Sequence, residues 1–259
     1  MEMFNNNDNQ APPSVVVEGM TSVSALINAV LSGKNSRRIL RVLVSHKANE
    51  NKQRETAFLR AKAEQLGYSL SVVGTGEIDA LTEGKTHGGI VAICSERPLP
   101  PLLAENLPEA GFFVILEGIE DPYNFGYTVR SLYAAGADGI VLGQRNWMSA
   151  ATTVIRASAG TTELIDMYEA DPVMAVNIFR SRGYRIVSAG IRDSVPLREA
   201  GLKLPLLLII GGEKRGITRR LLDLSDLIVR IDYGRKFLGS LTTSAAAAVF
   251  AFEIMRQNR

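Results

Sequence analysis

Hydrophobic residues in the first part of the chain recur at the spacings of short helices and strands. Apolar positions 23, 26, 27, 30 and 31 repeat at helical spacing, and Gly33 follows as a stop signal. The same pattern predicts strands at 39–44, 69–73 and 89–93, a helix at 51–66 and a short helical turn at 78–81. We therefore predict a small α/β domain at 14–97, preceded by a polar, Asn-rich and disordered lead-in at 1–13.

From residue 112 onward, strand patterns alternate regularly with helical ones. Strands are predicted at 113–116, 139–142, 162–167, 185–188, 206–210 and 227–231, and helices at 128–135, 150–158, 172–182 and 240–256. Such alternation is typical of an α/β domain with a mainly parallel sheet covered by helices, here at 111–259. Three closely spaced prolines, at 98, 100 and 101, resist both helix and sheet, so 98–110 is predicted to be a linker.

Composition narrows the class of protein without choosing a function. The 259 residues are 46% hydrophobic, enough for a real core, and the net charge of +2 permits nucleic-acid binding without arguing for it. The single cysteine, Cys94, lies in an apolar run and excludes a disulfide framework or a Cys-cluster zinc site. His46 and His87 lack partners for a metal site, so no metal is expected. No apolar run reaches about 18 residues and no signal pattern opens the chain, which predicts a cytoplasmic protein without membrane association.

The first candidate loop follows the predicted strand at 113–116. Asp121-Pro122 predicts a turn, because Pro fixes φ and Asp can bond its own backbone. Asn124 and Gly126 then lead into a helix, and we expect Arg130 one turn inside it, close to free N–H groups that suit a phosphate. On these residues alone, an ordinary turn with a solvated arginine is the favoured interpretation.

Two further loops also follow strands, where open α/β sheets bind ligands. Gly211-Gly212-Glu213 succeeds an apolar run, and its glycines would let a ligand approach the backbone; a plain strand-to-helix turn is the alternative. Ser240 is predicted to cap the last helix, with Thr242 and other hydroxyls in its first turn. Simple capping and tight packing through the alanines at 245–248 would explain this loop equally well. Neither a phosphate-binding P-loop nor a dinucleotide fingerprint occurs.

Taken together and in order, these pieces resemble the SpoU/TrmH branch of the SPOUT methyltransferases, which methylate the ribose 2′-oxygen of rRNA or tRNA. Asp121-Pro122-x-Asn124-x-Gly126-x-x-x-Arg130 resembles the first family motif, and Ala157-Ser158-Ala159-Gly160 a middle signature. Gly211-x-Glu213-x-x-Gly216 resembles the second motif, and Ser240-Leu241-x-x-Ser244 with Glu253 the third. The resemblance extends across 112–259, and residues 87–92 resemble the end of an L30e-like substrate-binding domain.

The resemblance implies a fold, a cofactor and partners. The expected fold is a SPOUT domain with a deep trefoil knot behind an L30e-like domain, in a homodimer whose active sites draw on both subunits. The cofactor is S-adenosylmethionine, held through the backbone of Gly211, Ile231, Leu241, Ala189 and Gly190. The implied catalytic residues are Arg130, Asn124, Glu213, Ser240 and Thr242. The expected substrate is RNA, with rRNA favoured over tRNA.

Two features qualify these expectations. A guanidinium is effectively always protonated, so we assign Arg130 to positioning phosphate and ribose rather than to acting as a base. Thr242 stands where the family usually has Asn, and its hydroxyl lacks the reach of an amide. A non-catalytic or weakly active RNA-binding relative is therefore the main alternative. An unrelated nucleotide or coenzyme enzyme is disfavoured by the missing fingerprints. Solvated helix and strand faces usually carry basic residues, but with the resemblance we favour an RNA phosphate backbone as the partner of one basic stretch. Its members are Lys34, Arg37, Arg38, Arg41, Lys47, Lys52 and Arg54.

Overall fold

The computed structural model describes residues 14–84, 86–143 and 150–259, so the predicted lead-in at 1–13 lies outside the described residues. The N-terminal part forms a four-stranded sheet in the order β1-β4-β2-β3, in which only β2 and β3 run parallel. Its elements are β1 Ser14–Glu18, α1 Met20–Leu31, β2 Ile39–Ser45, α2 His46–Asn51, α3 Gln53–Leu66, β3 Ser69–Val73, α4 Thr75–Asp79 and β4 Ile90–Ser95.

Most of the predicted N-terminal elements are confirmed, with small differences at two helices. The apolar positions that predicted α1 include Val23, Leu26 and Ile27, which are fully buried. The helix predicted at 51–66 is interrupted near Lys52, whose backbone leaves helical geometry, and residues before it form α2. The turn predicted at 78–81 begins earlier, as α4, where the Glu77 side chain accepts a hydrogen bond from the Gly74 amide.

The C-terminal part is built on a seven-stranded, wholly parallel sheet in the order β7-β6-β5-β10-β8-β11-β9, which confirms the predicted sheet type. The strands are β5 Phe112–Glu117, β6 Gly139–Leu142, β7 Asp166–Glu169, β8 Arg185–Ala189, β9 Val195–Pro196, β10 Leu206–Gly211 and β11 Leu227–Arg230. The helices are α5 Pro122–Ala134, α6 Ala151–Ala157, α7 Thr161–Leu164, α8 Pro172–Ser181, α9 Arg219–Asp223 and α10 Thr243–Gln257. The continuous apolar run at 206–210 makes β10 a central strand, buried on both faces.

The prediction of a strand at 162–167 is wrong in its first half. Residues from Thr161 to Leu164 form α7, and the strand begins only at Asp166. Gly160, at φ 81°, starts the helical turn, and Thr162 and Glu163 are buried in it. The apolar alternation that suggested a strand therefore reflects burial of a short helix. The two-residue strand β9 was not predicted, because it is too short to show a period.

Residues of the predicted linker pack on the C-terminal domain. A short 3-10 helix, Ala104–Asn106, lies between Leu102 and Leu107, which are buried with the core of the sheet. Pro101 forms an isolated bridge with Glu169 beside β7. The segment is thus an ordered cover for one face of the sheet rather than a free tether.

Helices α6 and α7 join the two parts of the chain. Ala151 and Ile155 of α6 are buried within the hydrophobic core of the N-terminal sheet. The turn into α7 approaches α1 so closely that a Cβ added at Gly160 would lie 2.7 Å from the Cβ of Ala25 and 2.9 Å from the Cα of Ser22. Only glycine permits this contact, so the middle signature Ala157-Ser158-Ala159-Gly160 lies at the junction of the two domains.

A buried ion pair crosses the same junction. Arg37 Nε lies 2.8 Å from Glu163 Oε2, and both side chains are 0% exposed. Asn35 Nδ2 donates to the same carboxylate oxygen at 2.5 Å, and Arg37 Nη1 donates to the Ser95 carbonyl at 2.7 Å. The prediction that Arg37 contributes to an RNA-facing surface is therefore wrong. Its charge is used between the domains and does not reach solvent.

Candidate functional site

The three candidate loops meet beside the carboxyl end of β10, and the Glu213 side chain joins them. Its Oε1 accepts a hydrogen bond from Asn124 Nδ2 at 3.1 Å and another from the Thr243 amide at 3.2 Å. Asn124 belongs to the first turn of α5, and Thr243 opens α10. One carboxylate thus holds together the loop after β10 and the first turns of two helices. The structure brings Asn124, Glu213 and the neighbouring Thr242 into one place.

Helix α5 begins earlier than predicted, so Arg130 lies further from the start of the helix than expected. Asp121 is its N-cap, accepting a hydrogen bond from the Asn124 amide at 2.7 Å, and Pro122 occupies the first turn, where no N–H partner is needed. Arg130 consequently lies in the third turn, about 9 Å along the helix axis from Asn124 at 1.5 Å per residue. The expectation that Arg130 lies near the free N–H groups of the helix is wrong.

The Arg130 side chain is exposed on the surface of α5. Among the described residues it has no hydrogen-bond or ion-pair partner. Tyr127, one turn before it, and Tyr133, one turn after it, are also exposed. Within a single chain, therefore, the guanidinium is not joined to the cluster around Glu213.

The glycines after β10 bring two stretches of backbone into direct contact. The Gly212 amide donates to the Glu117 carbonyl at 2.6 Å, and a Cβ added at Gly212 would lie 1.9 Å from the Gly118 carbonyl oxygen. A Cβ at Gly211 would lie 2.3 Å from the carbonyl carbon of Gly216. The sequence predicted close approach by a ligand, whereas the approach seen here is by the chain's own backbone. A side chain at Gly212 would separate the loops after β5 and β10, and one at Gly211 would disrupt the turn of the loop after β10.

The last loop leads into α10 through a cap that differs from the predicted one. Thr242, not Ser240, is the N-cap, and its Oγ1 accepts a hydrogen bond from the Ala245 amide at 3.3 Å. Threonine meets this capping requirement as asparagine would. Ser240 and Thr242 are both exposed residues at the start of the helix. Behind them α10 packs along α5 with Ala247 and Ala251 buried, as the alanine-rich run predicted.

The residues predicted to hold the cofactor share one position and one degree of burial. All are half-buried, and all lie at the carboxyl ends of the adjacent strands β8, β10 and β11 or just before α10: Ala189, Gly190, Gly211, Ile231 and Leu241. Small or aliphatic residues with partly open backbone at neighbouring strand ends fit a cofactor held mainly through main-chain groups. Their roles stay predictions.

Sequence reasoning gave no specific role to Thr243 and Tyr233. Buried Thr243 bonds Glu213 through its amide and directs its hydroxyl to the Gly211 carbonyl at 3.3 Å. The Tyr233 hydroxyl accepts a hydrogen bond from the Leu241 amide at 3.2 Å. Neither contact has a local pattern, because each joins residues whose spacing in the chain follows no helix or strand period.

Glu253 of the third motif lies away from this cluster, near the end of α10. Arg256 contacts both its carboxylate oxygens, at 2.7 and 2.8 Å, and Gln257 donates to it at 2.8 Å. The hydrogen bonds from Arg256, reinforced by Gln257, lower the pKa of Glu253 to about 2. Gln257 also bonds the Ala200 carbonyl. Glu253 therefore helps to fix the C-terminal turn against the segment before β10.

The described ranges contain neither a metal-ion cluster nor a membrane-spanning helix. No group of three or more His, Cys, Asp or Glu side chains in them is arranged to hold a metal ion. No helix in them has the length and apolar character needed to cross a membrane.

Comparison with known proteins identifies the family of each part of the chain. Residues 111–252 match the SpoU rRNA Methylase family, and residues 16–100 match the RNA 2′-O ribose methyltransferase substrate binding family. A 23S rRNA (guanosine-2′-O-)-methyltransferase RlmB from Shewanella oneidensis is 30% identical over 80% of this chain and 85% of its own length. The Putative TrmH family tRNA/rRNA methyltransferase YacO of Bacillus subtilis is 27% identical over 89% of this chain and 93% of its own length.

Solved structures show the same fold. The AdoMet-bound rRNA methyltransferase from Sinorhizobium meliloti aligns with a TM-score of 0.76 over 94% of this chain and 87% of that one, at 22% identity. The predicted fold class, a SPOUT domain behind a small L30e-like α/β domain, is confirmed. On the match across its catalytic half and across its N-terminal domain, this chain belongs to the SpoU family of RNA 2′-O-ribose methyltransferases.

Proposed function

We propose that this protein transfers a methyl group from S-adenosylmethionine to a ribose 2′-hydroxyl of ribosomal RNA in the cytoplasm. The observation that carries the proposal is the Glu213 cluster, which gathers residues of all three family motifs at the edge of one parallel sheet. Ribosomal RNA is favoured because relatives matched over most of their length are named 23S rRNA methyltransferases.

The chemistry requires placement more than it requires a strong acid or base. S-adenosylmethionine supplies a methyl group on a sulfonium, whose sulfur departs as a neutral thioether when the 2′-oxygen takes the methyl. The protein has to hold the ribose oxygen in line and leave a path for its proton to reach water. Asn124 and Glu213 keep the loop shape fixed through their mutual hydrogen bond, and the exposed residues Ser240 and Thr242 line the edge where ribose would enter.

In this proposal the protein forms a homodimer, and Arg130 of one subunit acts at the active site of the other. The α5 residues beside it, Tyr127 and Tyr133, are 47% and 40% exposed, and Val249 and Phe252 of the adjoining α10 are 41% and 45% exposed. Exposed apolar side chains on two packed helices favour burial against another surface. If a second copy covers this face, Arg130 is carried with it towards the partner's sheet edge. There the guanidinium would bind an RNA phosphate and orient the ribose.

The N-terminal domain is proposed to bind the RNA before the ribose reaches the site. With Arg37 removed from the predicted basic stretch, the exposed cations that remain there are Arg38, Arg41, Lys47 and Arg54. Lys34 lies 3.8 Å from Asp166, and Lys52 donates to the Gly88 carbonyl, so both have partners within the chain. Exposed cations without such partners suit a phosphate backbone, with affinity that falls as salt rises.

The proposal is tested by methyl transfer and cofactor binding with the full chain. Tritiated S-adenosylmethionine and an unmodified 23S rRNA transcript should give labelled RNA, with a methylated ribose found by nuclease digestion and mass spectrometry. Calorimetry should show one S-adenosylmethionine bound per chain. Arg130→Ala should abolish transfer while leaving that affinity nearly unchanged, whereas the matched Arg219→Ala, on exposed α9, should behave as wild type.

The alternative of a non-catalytic RNA-binding relative gives a different result. Such a protein would bind the transcript and leave it unlabelled. Thr242→Asn would then be expected to restore transfer, because it returns the family's usual amide while keeping a good N-cap. Normal turnover by Arg130→Ala would instead overturn the role assigned to that residue.

A further inference from the structure

The loop between β11 and α10 exposes large apolar side chains beside the candidate site. Leu238 is 96% exposed, the highest value among the large hydrophobic side chains that the structure describes, and Phe237 next to it is 55% exposed. Exposing such side chains to water is unfavourable, and a cluster of them at a site edge marks a binding surface. The proposed dimer face on α5 and α10 does not include these residues.

The exposed phenylalanine is held in a defined position. Its ring packs edge-on against Tyr233, with centroids 5.5 Å apart and planes at 64°. It also lies over Gly239, where an added Cβ would come within 2.7 Å of the ring. The Tyr233 hydroxyl in turn accepts a hydrogen bond from the amide of Leu241, which is predicted to contact the cofactor. This bond connects the aromatic pair to the predicted cofactor site. More than half of Phe237 nonetheless remains exposed.

Positive charge without internal partners flanks this ring. Arg235 and Lys236 are exposed, and neither forms an ion pair or hydrogen bond with any residue in the described ranges. The acidic residue of the loop, Asp232, is already paired with Arg230 at 2.8 Å. The loop therefore presents an aromatic ring next to two unneutralised cations. This combination suits single-stranded nucleic acid, whose bases stack on aromatic rings while its phosphates meet cations.

We propose that the loop at 233–239 is a base-stacking platform for the RNA substrate. The Phe237 ring stacks on an unpaired base of the target nucleotide or of its neighbour, and Arg235 and Lys236 contact the adjoining phosphates. This inference rests on the proposed function and adds to it a residue that positions the nucleotide. Unstacked bases in RNA loops are what proteins bind by aromatic stacking, and a stacked base also restrains its own ribose. The platform continues directly into Ser240 and Thr242, where the ribose has to lie.

The test compares three variants of the full chain in methyl transfer to the unmodified 23S rRNA transcript. Phe237→Leu removes the aromatic face but keeps apolar volume, and it should raise KM for RNA roughly tenfold. Phe237→Trp keeps a stacking surface and should restore KM to near the wild-type value. Met174→Ala, on α8 and 63% exposed, lies outside the loop and should change KM less than twofold. Calorimetry should give unchanged S-adenosylmethionine affinity for all three.

Each other outcome overturns the inference in a recognisable way. If wild type transfers methyl and Phe237→Leu has an unchanged KM, the platform is wrong and the proposed function stands. If Phe237→Leu loses affinity for S-adenosylmethionine, the ring serves the cofactor rather than RNA. Equal losses in Phe237→Leu and Phe237→Trp would show a disturbed loop without stacking. If wild type neither binds nor methylates RNA, the proposed function fails and the platform with it.

Discussion

Removing Glu163 should strongly destabilise the protein although it lies outside the candidate site. In Glu163→Ala the guanidinium of Arg37 stays fully buried and keeps the Ser95 carbonyl of its own domain as an acceptor, without a counter-charge across the junction. Breaking a buried ion pair from one side costs about 3–5 kcal/mol. For a chain of this size, each kcal/mol lowers Tm by roughly 2–4 °C, so the expected decrease is about 6–20 °C.

Scanning calorimetry of the full chain measures this decrease. The matched control is Arg219→Ala, which breaks the exposed pair with Asp223 and should change stability by less than about 1 kcal/mol. The double variant Arg37→Met with Glu163→Leu should recover much of the loss, because apolar residues of similar volume often replace a buried pair without cost. A Tm for Glu163→Ala no lower than that of the control would refute the reasoning. A double variant as unstable as the single one would assign the effect to packing.

Three further predictions follow from contacts at the site and on α10. Glu213→Ala should lower the rate of methyl transfer by roughly a hundredfold, because the loops lose their common hydrogen-bond acceptor. A displacement of the reacting groups by about 1 Å is enough for a loss of that size. Transfer assays measure the rate, and an unchanged rate would contradict the prediction. Glu253→Gln should lower Tm at pH 7. Because the fold lowers the pKa of Glu253, its ionised carboxylate stabilises the folded state at pH values above the ordinary carboxyl pKa of about 4.3. That difference from wild type should shrink as pH falls through about 2 in thermal melts, and a pH-independent difference would count against the ion pair. Phe252→Glu should convert the proposed dimer to monomers in sedimentation velocity, whereas Met174→Glu on α8, 63% exposed, should not.

The hydrophobic pattern predicted the sheet well, because burial determines both where apolar residues occur in the sequence and which strands lie at the centre of the sheet. Strands such as β10 are apolar throughout, as a central parallel strand requires, and this is visible in the sequence without further information. Short elements were predicted less well. The first residues of the strand predicted at 162–167 belong instead to α7. Thr162 is buried there by packing between domains, which no local period encodes.

The candidate site was predicted as three separate loops, and their joining was not. The motifs named Asn124 and Glu213, but the hydrogen bond between them links residues 89 positions apart. Arg37 illustrates the reverse error, since a basic stretch of sequence gives no sign that one of its members is buried against Glu163. The knot and the fold family were expected from the family resemblance alone, because knots are rare and the order of strands along a chain does not reveal threading.

The shared junction has a consequence for how such a protein can be divided or recombined. The N-terminal core is completed by Ala151 and Ile155, which belong to a helix of the catalytic half. A truncated chain beginning at residue 98 would expose that helix face to water and leave Glu163 without its counter-charge. The two halves are separate in sequence, but they are not interchangeable modules. Exchange of the RNA-binding half with that of a relative would have to carry matching changes on α6 and α7.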